Sequence, residues 1–130
     1  MSTDHKYYRL FERGEIGFDS RKMSWAHWVA AALATLTGVI HLFLYWNQGF
    51  VAFLFAGVVF LGAVAALLLN VYRRLLYALG IPFTAGQIAI WAAQGMPDMG
   101  VAIFDKPIQL VLILVLGYLF VKEDELSSKP

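Results

Sequence analysis

The sequence predicts an all-α membrane protein, a polytopic four-helix bundle preceded by a short amphipathic helix that lies in the membrane interface. Hydrophobic residues make up 60% of the 130 residues and charged residues 15%, whereas a soluble domain has about 45–50% and about 25%. The apolar residues form long uncharged runs, and about 20 such residues are enough for a helix to cross a bilayer. Four such helices together with their ends account for nearly the whole chain, so we expect one compact unit.

The polar N-terminal segment, residues 1–24, is predicted to be a tail that contacts the membrane surface. Tyr7, Leu10 and Phe11 fall on one face of a helix, with basic residues among the polar positions, which is typical of an interfacial amphipathic helix. The alternative is an arm that docks on a cytoplasmic partner. The long lead of mixed charge, with no small-residue cleavage site after it, differs from the pattern of a cleaved signal peptide.

The first three predicted spans are bounded by polar or turn-forming residues. Ser24 is a candidate N-cap for the first span, and Asn47-Gln48-Gly49 is a turn signal that follows it. The third span contains Pro82, which is expected to kink the helix because proline has no N–H to donate. The predicted ranges are 25–46, 50–71 and 75–94.

The fourth span is predicted from a different signal. Asp105, Lys106 and Pro107 stand in a row and have the pattern of a helix start, because Asp is favoured at the N-cap and proline in the first turn. We therefore expect the fourth span over 107–121, which makes it the shortest. The apolar residues 101–104 are then expected to rest in the interface or against the bundle.

The basic residues predict that both termini are cytoplasmic. In a four-span topology Arg73 and Arg74 lie on the same side as the two tails, 1–24 and 122–130, and nine of the ten Lys and Arg residues are on that side. Lys106 alone is on the other side. Because positive residues favour the cytoplasmic face, we expect a multi-pass protein of the cell membrane with Arg73 and Arg74 as cytoplasmic anchors.

Small residues recur at helical spacing in three of the spans. Such stripes let helix backbones approach closely in lipid. They are expected to mark where the four helices contact each other, although the same faces would also suit docking of other subunits. The residues are Ala30, Ala34 and Gly38, then Gly62 and Ala66, then Gly80 and Thr84.

A few polar residues fall in the outer half of the predicted bundle. His41 lies about one and a half turns from the outer end of the first span, and Asp105, Lys106 and Gln109 belong to a similar level at the start of the fourth. Ionisable groups are costly in a membrane, so each is by default a functional hypothesis. The alternative is that this outer polar cluster only joins the helices by hydrogen bonds.

Cofactor and metal sites receive little support. His27 and His41 are 14 residues apart on one helix, and the only other histidine is His5, so no second helix supplies the axial ligands of an intrachain bis-histidine haem. A haem shared with another subunit stays open. Met96 and Met99 have thioethers that suit Cu(I), although methionines there also serve as interfacial anchors. No cofactor is predicted within this chain, and His41, Met96 and Met99 are weak copper candidates.

The sequence lacks the residue patterns of an enzyme. It has no cysteine, no serine inside a predicted span, no paired carboxylates within a span and no glycine-rich phosphate loop. Nucleophilic and acid–base constellations are therefore missing, and we expect no catalysis by the chain itself, whether or not it belongs to an oxidoreductase complex. The net charge of +1 gives no indication of a nucleic-acid partner.

Several pieces of the sequence carry a resemblance to a known family, and the central run around Gly80 is the most specific of them. The pieces are Gly38-Val39-Ile40-His41-Leu42, Arg73-Arg74-Leu75-Leu76-Tyr77, Gly80-Ile81-Pro82-Phe83-Thr84-Ala85-Gly86-Gln87-Ile88, Trp91, and Asp105-Lys106 with Gln109.

On these pieces, about two thirds of the chain resembles a family of small four-helix membrane proteins that is common in haloarchaea. The resemblance implies a shared bundle and no particular activity, and it picks out Arg73, Arg74 and Gln87 beside the outer polar cluster. The long polar tail and the near-zero net charge depart from the haloarchaeal members. In general appearance the chain is also similar to the small accessory subunits of archaeal ammonia monooxygenase, a copper membrane enzyme.

The sequence therefore favours a non-catalytic accessory subunit of a larger integral membrane complex, with a copper-dependent ammonia or methane monooxygenase as one candidate. Its expected partners are other integral membrane subunits and the lipid bilayer. The alternative is a small homo-oligomeric channel or carrier with His41 at its outer mouth, because histidine titrates near neutral pH and can gate such a path.

Overall fold

The computed structural model describes residues 16–128, with side chains up to Glu123, and the regular structure of this part of the chain is entirely helical. Each of the four long helices is long and apolar enough to cross a membrane. The predicted all-α, four-helix architecture is thus confirmed, while the interfacial helix expected around Tyr7 and Phe11 lies outside the described residues. A short 3₁₀ helix, Ser20–Lys22, is followed by α1 (Trp25–Gln48), α2 (Val51–Leu68), α3 (Arg73–Ala93) and α4 (Met99–Ser128).

The four helices do not contact each other equally. Helix α1 packs closely against both α2 and α4, and α4 packs against α3, whereas α2 and α3 make few contacts although they are neighbours in the chain. A gap therefore remains between α2 and α3. The two ends of the bundle are named here by their histidines: α1 begins at the His27 end and finishes at the His41 end.

The closest packing of α1 on α2 depends on two glycines. A Cβ atom built on Gly57 would lie 2.6 Å from a Leu42 side-chain carbon and 3.0 Å from the carbonyl oxygen of Gly38. Gly38 was predicted as a packing residue from its stripe, but Gly57 was not. Because only a residue without a side chain fits between these backbones, the Gly38–Gly57 contact sets the distance between the two helices.

The other small residues have mixed roles. Ala30 and Ala34 are buried in the core between the helices, and a Cβ on Gly80 would meet Leu116 of α4 at 3.1 Å. Gly62 differs, because among the described residues no atom outside the neighbouring backbone of its own helix lies within 4 Å of the position of its Cβ. Gly62 therefore does not pack on a neighbouring helix but faces the gap between α2 and α3.

Arg73, which was predicted as a cytoplasmic anchor, links two helix ends inside the protein. It is the first residue of α3, its side chain is buried, and its Nε donates to the Leu67 carbonyl at 2.9 Å while Nη1 donates to the Lys22 carbonyl at 3.0 Å. The guanidinium thus satisfies a carbonyl near the end of α2 and ties the 3₁₀ helix to it. Arg74 lies in the same first turn, with its guanidinium 5.0 Å from the centre of the Phe120 ring.

The predicted start of the fourth helix at Asp105 is wrong. Helix α4 begins at Met99, and the carbonyl of Asp98 accepts from the N–H groups of Val101 and Ala102 at its first turn. Pro107 lies inside the helix, where its missing N–H costs one hydrogen bond but does not end the helix. The fourth span is therefore long, and Asp105 is an interior residue.

The remaining helix ends differ by a few residues from those predicted. Helix α1 begins after Ser24, the predicted N-cap, and continues to Gln48. Helix α3 runs through Pro82 without a break in its assignment. Helix α4 extends to Ser128, so most of the segment 122–130, predicted as a tail, is helical.

We predict that Gly57→Ala destabilises the bundle, because the added methyl group has no space against Leu42 and Gly38. Overpacking of this kind typically costs about 1–3 kcal/mol, which denaturant-induced unfolding in detergent would measure. Gly62→Ala is the matched control in the same helix and should leave stability unchanged or raise it slightly, since its Cβ position is open. Equal destabilisation by the two substitutions would contradict the assigned helix contact.

Candidate functional site

A buried hydrogen-bond network joins α1 to α4 at the His41 end, and Thr37 is at its centre. The Thr37 hydroxyl donates to Oδ1 of Asp105 at 2.6 Å and accepts from Nε2 of Gln109 at 3.1 Å. All three side chains are almost completely inaccessible. Because buried polar groups are costly without partners, these bonds fix how α1 and α4 are rotated relative to each other.

Lys106 completes the neutralisation of the buried carboxylate. Its Nζ donates to Oδ2 of Asp105 at 3.0 Å and to Oε1 of Gln109 at 3.1 Å. It also lies 5.7 Å from the centre of the Trp91 ring, at the distance of a cation–π contact. Trp91 is itself held in place, because its Nε1 donates to the Pro97 carbonyl at 2.8 Å.

His41 is attached to this network in a defined orientation. Its Nδ1 lies 2.7 Å from the carbonyl oxygen of Thr37, and a carbonyl can only accept, so Nδ1 carries a hydrogen. The ring packs against Phe53 and Phe60, with centroids 6.2 and 5.7 Å away. Within residues 16–123 no side chain hydrogen-bonds to Nε2. In the neutral imidazole this nitrogen is an acceptor.

A cavity of about 780 Å³ opens at this end of the bundle, between α1, the first turns of α2, the end of α3 and the start of α4. We call it the His41 cavity. Its volume is within the range of sites that bind small molecules. Its walls combine aromatic and amide side chains with the charged groups of the network, including His41, Phe50, Phe53, Gln87, Trp91, Asp105 and Lys106.

A second polar network lies at the opposite end, around His27. The backbone N–H of Ser24 donates to Nδ1 of His27 at 2.9 Å, so this nitrogen must be the acceptor. Nε2 of His27 then donates to Oε1 of Glu123 at 2.8 Å, and the Tyr77 hydroxyl donates to the same oxygen at 3.2 Å. His27 and His41 therefore have opposite tautomers, and both nitrogens of His27 are occupied.

The structure brings together the residues predicted as the outer polar cluster: His41, Asp105, Lys106 and Gln109 all belong to one network or line one cavity. Sequence reasoning missed Thr37, which connects them. The available signal was spacing, since Thr37 and His41 are four residues apart on one helix and Asp105 and Gln109 four apart on another, which places each pair on one face.

The copper candidates are not gathered into one site. Met96 is in the loop after α3 and Met99 is the first residue of α4, and both are about half exposed. Neither methionine lines the cavity that contains His41. Among the described residues, no group of three or more His, Cys, Asp and Glu side chains is arranged to hold a metal ion. Copper binding stays a prediction.

Comparison with known proteins gives no further guide to the site: no family model, no curated protein and no solved structure matches the chain. The resemblance to haloarchaeal membrane proteins and to monooxygenase subunits therefore stays a prediction.

We predict that the two histidines have different tautomers in the folded protein. Nδ1 of His41 faces the Thr37 carbonyl, which can only accept, so His41 should be the Nδ1–H form. Nδ1 of His27 faces the backbone N–H of Ser24, which can only donate, so His27 should be the Nε2–H form. Nitrogen-15 chemical shifts of the imidazole rings at neutral pH, with assignments from His41→Phe and His27→Phe, would measure this. The same tautomer in both rings would contradict the geometry of the site.

Proposed function

We propose that this chain is a membrane-embedded binding protein that takes up a small uncharged group in the His41 cavity and does not itself catalyse a reaction. The observation that carries the proposal is the Nε2 nitrogen of His41. His41 is only 3% exposed, its ring is oriented through Nδ1, and the residue lines a cavity of small-molecule size. Nε2 has no hydrogen-bond partner among residues 16–123.

The cavity offers complementary hydrogen-bonding groups. Nε2 of His41 is an acceptor for a ligand hydroxyl. Lys106 is a donor, because its ammonium group has three N–H bonds and two of them are engaged by Asp105 and Gln109. A ligand with one hydroxyl and one acceptor oxygen would satisfy both residues. Asp105 is not available as a general base, since each of its oxygens already accepts a hydrogen bond within the network.

Binding is better supported than conduction through a single chain. Along α1 between Thr37 and His27, about 15 Å at 1.5 Å per residue, the buried residues are alanines, and they belong to one apolar core with buried residues of the other helices. An ion would have to cross this apolar layer. A path between several copies of the chain is a different arrangement, and the homo-oligomeric channel stays a prediction.

The side of the membrane on which the cavity opens follows from the basic residues. With both termini in the cytoplasm, as the positive-inside rule predicts, the His41 end faces away from the cytoplasm. The ligand would then enter from the outer side or from the outer leaflet.

We predict that His41→Phe weakens the binding of hydroquinone, a ring with two hydroxyl donors, by about five- to tenfold. The substitution keeps a planar ring but removes the acceptor, and one hydrogen bond contributes on the order of 1 kcal/mol. Titration of hydroquinone into the protein in nanodiscs, monitored by NMR, would measure the affinity.

The control is Val39→Phe, which introduces the same side chain at an exposed position of α1 and should leave affinity unchanged. 1,4-Dimethoxybenzene, which has no hydroxyl, should bind wild type and His41→Phe equally. Unchanged hydroquinone affinity in His41→Phe, or no binding by wild type, would overturn the proposed function.

That the chain works as a subunit of a larger complex also stays a prediction, and it is independent of the cavity. Native mass spectrometry after mild detergent extraction should then give an assembly much larger than 14.5 kDa that contains other polypeptides. Recovery of the chain alone, or with only copies of itself, would contradict it.

A further inference from the structure

A second cavity continues from the His41 cavity toward the other end of the bundle. It is about 580 Å³ in volume and lies in the gap between α2 and α3. Phe55 lines both cavities, so they adjoin. We call the second cavity the apolar groove, because its lining is almost entirely aliphatic and aromatic. Its α2 wall includes Gly62, Ala63 and Ala66, and its α3 wall includes Leu79, Gly80 and Phe83.

The apolar groove is elongated along the bundle. On α2 it extends from Phe55 to Leu67, about 18 Å at 1.5 Å per residue. At Phe55 it adjoins the polar His41 cavity. A long apolar groove that adjoins a polar cavity matches a lipid with a single hydrocarbon tail.

The charges around the His41 cavity favour a head group without net charge. Asp105 is paired with Lys106, and the carboxylate of Asp98 at the rim accepts from Gln48 at 2.9 Å. The carboxylates of Asp98 and Asp105 together outweigh the single ammonium group of Lys106, so these residues provide no excess of positive charge to bind a phosphate. An anionic phospholipid head is therefore disfavoured, and a neutral head with hydroxyl groups is favoured.

The walls of the His41 cavity favour a ring. Phe50 and Phe53 stand on the α2 side, with their rings 6.0 Å apart in an edge-on arrangement, and Trp91 lines the α3 side. Aromatic side chains interact favourably with a planar ring by stacking or edge contacts. The hydroxyl of such a ring would be presented to Nε2 of His41.

We propose that the natural ligand is a neutral lipid of the quinol type, with a hydroxylated ring in the His41 cavity and its single hydrocarbon tail in the apolar groove between α2 and α3. This inference rests on the proposed function, which it deepens by naming the ligand class and by adding the groove to the site. It concerns binding alone, and no redox step at the ring is implied.

The first experiment separates the tail from the head. Decylubiquinol and the same ring without the decyl chain are titrated against the full chain in phosphatidylcholine nanodiscs, with affinity expressed per mole fraction of probe in the bilayer. Gly62→Leu introduces a side chain into the groove at a position where the added Cβ lies in open space. It should weaken decylubiquinol binding by about tenfold and leave the tailless ring unaffected.

Gly117→Leu is the matched control, because its Cβ position is equally open and it lines neither cavity. Gly117→Leu should change neither the affinity for decylubiquinol nor the affinity for the tailless ring. Thermal unfolding of both variants establishes that they are folded. The oxidised form, decylubiquinone, has no hydroxyl to donate to His41. Its affinity for the wild-type protein should therefore be no higher than the affinity of decylubiquinol for His41→Phe.

The second experiment locates the tail directly. A decylubiquinol analogue with a diazirine at the end of its tail is photolysed in the same nanodiscs, and the labelled peptides are mapped. Labelling of α2 between Phe55 and Leu67 and of the facing side of α3, lost in Gly62→Leu, is the expected result. Labelling confined to lipid-facing residues such as Leu114, which is 72% exposed, would overturn the groove as the tail site.

The outcomes distinguish the two levels of the proposal. If the tailless ring binds in a His41-dependent way but Gly62→Leu has no effect on decylubiquinol, the lipid inference is wrong and the proposed function stands. If neither probe depends on His41, both are wrong. Tighter binding of phosphatidylglycerol than of decylubiquinol would also overturn the neutral ring lipid.

Discussion

A carboxylate that lies inside a membrane bundle must be neutralised where it stands, and Asp105 imposes this condition on the His41 end. Its two oxygens are satisfied by different elements, one by Thr37 of α1 and one by Lys106 of its own helix. An uncompensated charge at this depth would be strongly destabilising. The rotation of α1 against α4 is thereby restricted to the one in which Thr37 faces Asp105, and His41, one turn further along α1, is then directed into the cavity.

The two ends of α1 illustrate how the same side chain is assigned different roles by its neighbours. At one end a backbone N–H and a carboxylate occupy both ring nitrogens of His27, so this residue completes the packing of three helices. At the other end a carbonyl occupies one nitrogen of His41, a residue that lines the cavity, and the second nitrogen has no hydrogen-bond partner among residues 16–123. Burial alone does not distinguish the roles of the two histidines, because both side chains are almost inaccessible.

Much of the fold was accessible from the sequence because long uncharged runs have few alternatives in a bilayer. The polar cluster was also accessible, since only a handful of polar residues occur in the spans. The start of α4 was not, because Asp105, Lys106 and Pro107 have the local pattern of a helix start although the Asp98 carbonyl begins the helix earlier. Gly57 and Gly62 show the same limit: spacing cannot tell which small residue meets a backbone and which faces a gap.

The unequal packing of the helices has a consequence for biogenesis. Helices α1 and α2 close on each other through Gly38 and Gly57, and α3 closes on α4, while α2 and α3 contact each other little. The chain therefore contains two sequential hairpins, and α4 joins them because it packs on α1 as well as on α3. The first can assemble in the bilayer while the second is still being synthesised. The bond between Thr37 and Asp105, separated by 68 residues, forms only when α4 arrives, so the His41 cavity is completed at the last step of insertion.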